Sequence, residues 1–258
     1  MTPIMFNFAQ TYRLARFAFL SVLLCLPATA CAFDVRVLHS LLDGVLERNV
    51  KDGYVNYPAI ARNARFYKYI EAISEFDADT LDSNEARLAF WINAYNALAI
   101  KSVIDGVTPI NAIGRLKFFR TTEHRVAGRN LDLRSIERDI VLKLDDARAH
   151  MALVPASYSG PHLRSEAYKI DKIGRQLEDN THAFINDNRK NRFSIAARTA
   201  KISEIFDWHG DDFGGSDKGI LEYLAKYVND ETKARELLIG GFKIKFMEYD
   251  WSINGRPM

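Results

Sequence analysis

Cysteine is almost absent from this 258-residue chain: only Cys25 and Cys31 occur, both within the first 32 residues. A chain that starts after them has no disulfide, no thiolate metal ligand and no cysteine nucleophile. Long apolar runs are missing too. Phe17 to Leu26 is mostly apolar but only about ten residues long, half of the ~20 needed to cross a bilayer core, and no later run is long enough. Neither sign of charge dominates, with 35 Lys+Arg against 33 Asp+Glu. Without the leader that holds Arg13 and Arg16 the counts become equal, so no basic footprint for nucleic acid is left. The six histidines never show H-x-x-x-H or H-E-x-x-H spacing. Neither a metal nor a cofactor is therefore expected from the sequence pattern. His124, His150, His162 and His209 meet only if the fold brings them together.

The first 32 residues have the layout of a secretory signal: Arg13 and Arg16, the apolar stretch, Pro27, then small residues from Ala28 to Ala32. The expected mature protein begins at Phe33 and is periplasmic or secreted. Cleavage after Ala30 is the alternative and would leave Cys31 to carry a lipid anchor. The remainder, residues 33–258, shows no repeat, linker or low-complexity tract and is long enough to bury a core without cross-links, so one domain is expected.

Apolar residues at helical spacing predict helices over Asp34–Val50, Ala59–Glu75, the segment opened by an Asp82/Glu85 capping box, Leu133–Leu144 behind Asp132, Glu166–Asn186, Ser216–Val228 and Glu231–Ile239. A turn is expected around Ala127 to Asn130. Strands are expected at His150–Val154, at Phe193–Ala197 and at FKIKF after Gly240-Gly241, where apolar residues and lysines alternate. The class is α+β, mostly helical, with a small antiparallel sheet.

The segment LAFWINAYNALAI, Leu88 to Ile100, is apolar on every side, as a buried helix is. Asn93 and Asn96 stand three apart in it, on one face. A buried amide without a partner costs ~1 to 3 kcal/mol, so each must be received by a specific group.

Four blocks in order, LAFWINAYNALAIKSVI, RVAGRNLDLRSIERDIV, DARAHMALVPASYSGPHLRSEAY and MEYDWSIN, resemble the family called domain of unknown function 547, over about Phe33 to Asn254. The resemblance implies an architecture rather than an activity. Family members commonly carry HFAL, a short variable stretch with a cysteine, then Ser-Cys-Pro-Pro. Here Pro155 and Gly160 stand at the cysteine positions, so any thiolate or loop disulfide the family uses is lost.

The catalytic candidates are His150, Glu137, Asn93 and Asn96, expected to lie together with the Pro155–His162 loop beside them. His150 is either a general base or a satisfied strand histidine. Glu137 either joins an interior network or faces water. The asparagines either tie the helix to neighbouring backbone or orient a catalytic group. Ser157, Ser159, His162 and Trp208 are the binding candidates, although no G-x-S-x-G elbow surrounds the serines. The segment Asp207 to Phe213 and Tyr249-Asp250-Trp251 pair aromatics with acids. Two functions fit. One is an exported module that binds a peptide, a glycan or an envelope protein. The other is an envelope hydrolase or transferase with a papain-like or transglutaminase-like arrangement that uses His150.

Overall fold

Chain order begins with α1 (Val35–Asn49), whose start is fixed by the Asp34 side chain accepting from Arg36 N–H. A two-stranded hairpin follows, β1 (Val50–Lys51) and β2 (Tyr54–Val55). The computed structural model describes Met1 and residues 34–255, so the expected export segment lies outside the described residues apart from Met1. The helix expected over Ala59–Glu75 is two pieces, α2 (Tyr57–Ile60) and α3 (Ala64–Glu75). Asn63 is the reason, because its side chain accepts from Arg65 N–H and opens a new helix there.

At the centre lies α4 (Asn84–Ile104), buried from Leu88 through Ile100 as its all-round apolar sequence requires. Its cap is Ser83, accepting from Ala86 N–H at 3.1 Å, in place of the expected Asp82. After α4 come α5 (Ala112–Leu116), a π turn over Lys117–Thr121, and the hairpin β3 (His124–Val126) and β4 (Arg129–Leu131). The next helix starts at Asp132 as expected, as α6 (Leu133–Ser135), then widens into a π turn over Ile136–Val141 and tightens over Leu142–Leu144.

Two expectations fail for one physical reason. His150–Val154 is no strand: Ala147–Met151 is a 3₁₀ turn begun by Asp146, which accepts from Arg148 N–H. The next backbone groups are taken by an amide, with Ala152 C=O accepting from Asn96 and Val154 N–H donating to it. Likewise Glu166 to Lys172 is not helical, and α7 (Ile173–Ile185) begins only after it. Asp43, Asn93 and Gln176 hold the backbone of Ala167, Tyr168 and Lys169 instead. Side chains here satisfy buried backbone groups that a ladder or a helix would otherwise pair.

The last third forms β5 (Arg192–Ser194), β6 (Thr199–Ser203), α8 (Ile205–Trp208), a 3₁₀ turn over Gly210–Phe213, α9 (Asp217–Ala225), α10 (Glu231–Ile239) and β7 (Lys243–Met247). β5 pairs antiparallel with β6, and β6 pairs parallel with β7, so this sheet is mixed rather than purely antiparallel. The class is α+β and mostly helical, with small sheets. One apolar cluster surrounds α4; a second gathers β6, α7, α9 and the aromatic turn at Phe206 and Phe213. The C-terminal stretch is laced onto the Ala156–Ser159 loop by Tyr158 N–H to Ser252 C=O and Asn254 N–H to Ala156 C=O. Tyr249 belongs to the second cluster, and Trp251 packs against it. Among the described residues no helix is long and apolar enough to cross a membrane.

Candidate functional site

Both π turns face one cleft of about 400 Å³. π segments are rare and concentrate where a side chain must be re-aimed. The first supplies Phe119 and Arg120, the second Glu137 and Arg138. Arg115 and Leu116 from α5 and Arg134 from α6 line the cleft as well. The C-terminal third supplies Trp208, His209, Tyr249 and Trp251. Trp208 stacks on Trp251 at 5.7 Å between ring centres, and the Arg115 guanidinium lies over Trp251 at 5.0 Å.

Glu137, His150 and His209 meet on the floor. His209 Nε2 is 3.6 Å from Glu137 Oε1, and the two imidazole rings are 4.1 Å apart. His150 is sealed beneath the surface, whereas His209 and Glu137 keep 16% and 19% of their side chains exposed to the cleft. His150 Nε2 is 2.8 Å from Asp212 Oδ2. A carboxylate only accepts, so Nε2 carries the proton.

Burial pushes the Glu137 carboxyl up to about 7, against the weaker pull of Arg138 and Arg134. The same desolvation lowers His209 to about 3, helped by the neighbouring His150. It lowers His150 as well, overriding Asp212. Both rings are therefore neutral near pH 7, and the close approach of His209 to Glu137 is a carboxyl against a neutral imidazole rather than an ion pair.

The four catalytic candidates divide. Glu137 and His150 share the cleft floor. Asn93 and Asn96 do not line it: Asn93 is bound to the Tyr168 main chain and to His39, and Asn96 to Ala152 and Val154. Both amides tie the central helix to buried loop backbone. Of the binding candidates Trp208 is a cleft wall. Ser157 Oγ is buried against Tyr249 OH at 2.7 Å, and Ser159 Oγ accepts from Asp250 N–H. His162 lies elsewhere, beside Arg189 and Asp187. The loop they belong to does border the cleft, through Pro155 and Pro161. Among the described residues the serine–histidine hydrogen bond is Ser102 to His124, 3.2 Å, sealed in the interior. Among the described residues no hydroxyl nucleophile is paired with a base in the cleft.

The sequence pattern does not mark the four arginines as site residues, and it offers His209 only as a histidine that the fold could bring beside others. The basic aromatic stretch Arg115 to Arg120 is a visible signal in the sequence, and so is the turn Asp207 to Phe213, which supplies Trp208, His209 and Asp212. Their meeting with Glu137 depends on tertiary packing between segments about 70 residues apart.

Residues 79–185 match the model of a family described as "Protein of unknown function, DUF547", and the chain carries a domain of that family there. The match takes in the first three of the four blocks and stops short of MEYDWSIN. Glu137 and His150 are inside it; Trp208, His209, Asp212 and Trp251 are beyond it. No curated protein and no solved structure matches the chain.

Proposed function

We propose that this chain, with its DUF547 domain, is an exported module of the cell envelope whose cleft binds an acidic peptide or glycan. The observation that carries this reading is the cleft lining. Arg115, Arg120, Arg134 and Arg138 all line the cleft, and none of them has a carboxylate within ion-pair distance among the described residues. Guanidinium forks match carboxylates and phosphates in two-point fashion, and unpaired ones attract such groups. In the same lining, Trp208, Tyr249 and Trp251 offer flat apolar surface for a ring or an aliphatic body. The export half of the proposal rests on the sequence of residues 1–32, with a periplasmic or secreted product and a Cys31 lipid anchor as the alternative.

One observation favours a catalytic second reading, a hydrolase or transferase in which His150 acts. The Glu137 carboxyl, poised near neutrality beside two neutral imidazoles, has the acid–base character that proton transfer needs. With no hydroxyl paired to a base in the cleft among the described residues, that chemistry would use water as the nucleophile.

Titrating the purified chain with acidic and neutral envelope peptides and glycans, by calorimetry and tryptophan fluorescence, tests the binding reading. Acidic ligands should bind at least 10-fold more tightly than neutral ones, and Arg134→Ala and Arg138→Ala should each weaken them. Equal affinity for neutral ligands would overturn it. Product formation that His150→Ala abolishes would establish the catalytic reading in its place. Fractionation with N-terminal sequencing tests export: Phe33 as first residue is expected, a lipidated Cys31 selects the alternative, and intact Met1 in the cytoplasm refutes both.

A further inference from the structure

The floor of the cleft combines one carboxylate and two imidazoles in a way that acid–base chemistry alone does not require. One ligand-type atom from each of Glu137, His150 and His209 lies within 4.8 Å of the other two. Tetrahedral coordination with bonds of ~2.1 Å sets ligand atoms ~3.4 Å apart, and His209 Nε2 already stands 3.6 Å from Glu137 Oε1. Asp212 supplies an independent feature. By accepting the hydrogen bond of His150 Nε2–H at 2.8 Å it leaves the lone pair of that ring on Nδ1 and fixes the ring plane. This carboxylate–imidazole pairing is what orients metal-bound histidines.

We propose that Glu137, His150 and His209 form a site for a divalent transition-metal ion, zinc above all, on the floor of the cleft. Ligand chemistry selects the ion class. Two neutral imidazoles and one carboxylate suit zinc, cobalt or nickel, whereas calcium and magnesium demand several oxygen ligands. Arg134 and Arg138 flank Glu137 in sequence and oppose any cation, which penalises ions held by charge alone. A dication on one carboxylate keeps a net charge of +1, and three protein ligands leave a coordination position open toward the cleft. An anionic group drawn in by the arginines fits that position. The metal site does not depend on the acidic-ligand reading.

The test uses the full mature chain stripped with EDTA and dialysed. Calorimetry with Zn²⁺ should show one equivalent bound at micromolar affinity or tighter, and Co²⁺ should give the intense visible bands of a tetrahedral complex. Ca²⁺ and Mg²⁺ should not bind. His209→Ala and Glu137→Gln should each weaken zinc at least 100-fold while circular dichroism stays native, and Asp212→Asn should weaken it about 10- to 100-fold without changing the stoichiometry. His162→Ala, away from the floor, should bind as wild type does. Failure of zinc to bind at 100-fold excess, or binding by His209→Ala and Glu137→Gln equal to that of wild type, would overturn the proposal. Acidic-ligand binding measured in EDTA separates the two ideas: retained there while zinc fails, it leaves the ligand reading standing and removes the metal.

Discussion

The side-chain amide of Asn93 and the main chain of Tyr168 exchange two hydrogen bonds, Tyr168 N–H to Oδ1 at 2.9 Å and Nδ2 to the Tyr168 carbonyl at 2.8 Å. One buried side chain thus does for Tyr168 what a neighbouring strand would do. Asn96, three residues on, repeats the device with Ala152 and Val154. Asn93→Leu and Asn96→Leu each orphan one buried N–H and one buried C=O, and each should lose about 2 to 4 kcal/mol. Urea midpoints measure it. Midpoints equal to wild type for both would mean the loops have other partners.

The start of the central helix offers a finer test, because two adjacent residues compete for the capping role. Ser83 Oγ accepts from Ala86 N–H. Ser83→Ala should therefore cost ~1 kcal/mol, and Asp82→Ala less than ~0.5. The reverse ranking in thermal melts would reinstate Asp82 as the cap.

Acid should weaken the fold through its buried histidines. Desolvation, opposed by Asp34 and Asp43, lowers His39 from 6.5 to about 4, and burial lowers His124 to about 4 as well. A base depressed in the folded state binds its proton more readily when unfolded. The stability it contributes is complete above pH 6.5 and is lost as pH falls toward 4. For His39 alone the change amounts to about 3 kcal/mol. His39→Gln, which keeps an acceptor for Asn93, should flatten the decline between pH 6.5 and 4 by that share. An unchanged slope in urea melts would show that His39 is not held neutral.

The helices, the burial of α4 and the FKIKF strand were legible because each is a local period written in adjacent residues. Asn93 and Asn96 were legible as problems, since an amide in an apolar helix demands a partner, but the partners lie about 60 to 75 residues away. The false strand at His150–Val154 shows the limit: a short apolar run bounded by turns reports burial, not backbone shape. What decided the shape was Asn96 reaching across. The cleft followed the same rule. Glu137 and His150 were singled out, yet the approach of His209 and Asp212 required a turn from outside the DUF547 match to pack on the floor.

Lys190 holds the loop that borders the cleft. The side chain is buried, its ammonium donates to the carbonyls of Gly160 and Tyr158, and it lies 5.6 Å from the Phe184 ring centre. Burial lowers its pKa from 10.5 to about 8, against Asp187, which raises it. Between those values the unfolded chain holds the proton and the folded chain sheds it, so stability should climb as pH rises from 8 toward 10. Lys190→Met removes both the buried charge and the two donors. The relief of one offsets the loss of the other, and the net change at pH 7 should stay within ~1 to 2 kcal/mol. Two signatures should persist: the variant lacks the climb between pH 8 and 10, and limited proteolysis cuts its Ser157–Gly160 loop faster than in wild type. A variant that keeps the climb would assign it to another group, and a loop no more sensitive than wild type would mean the lysine does not hold it.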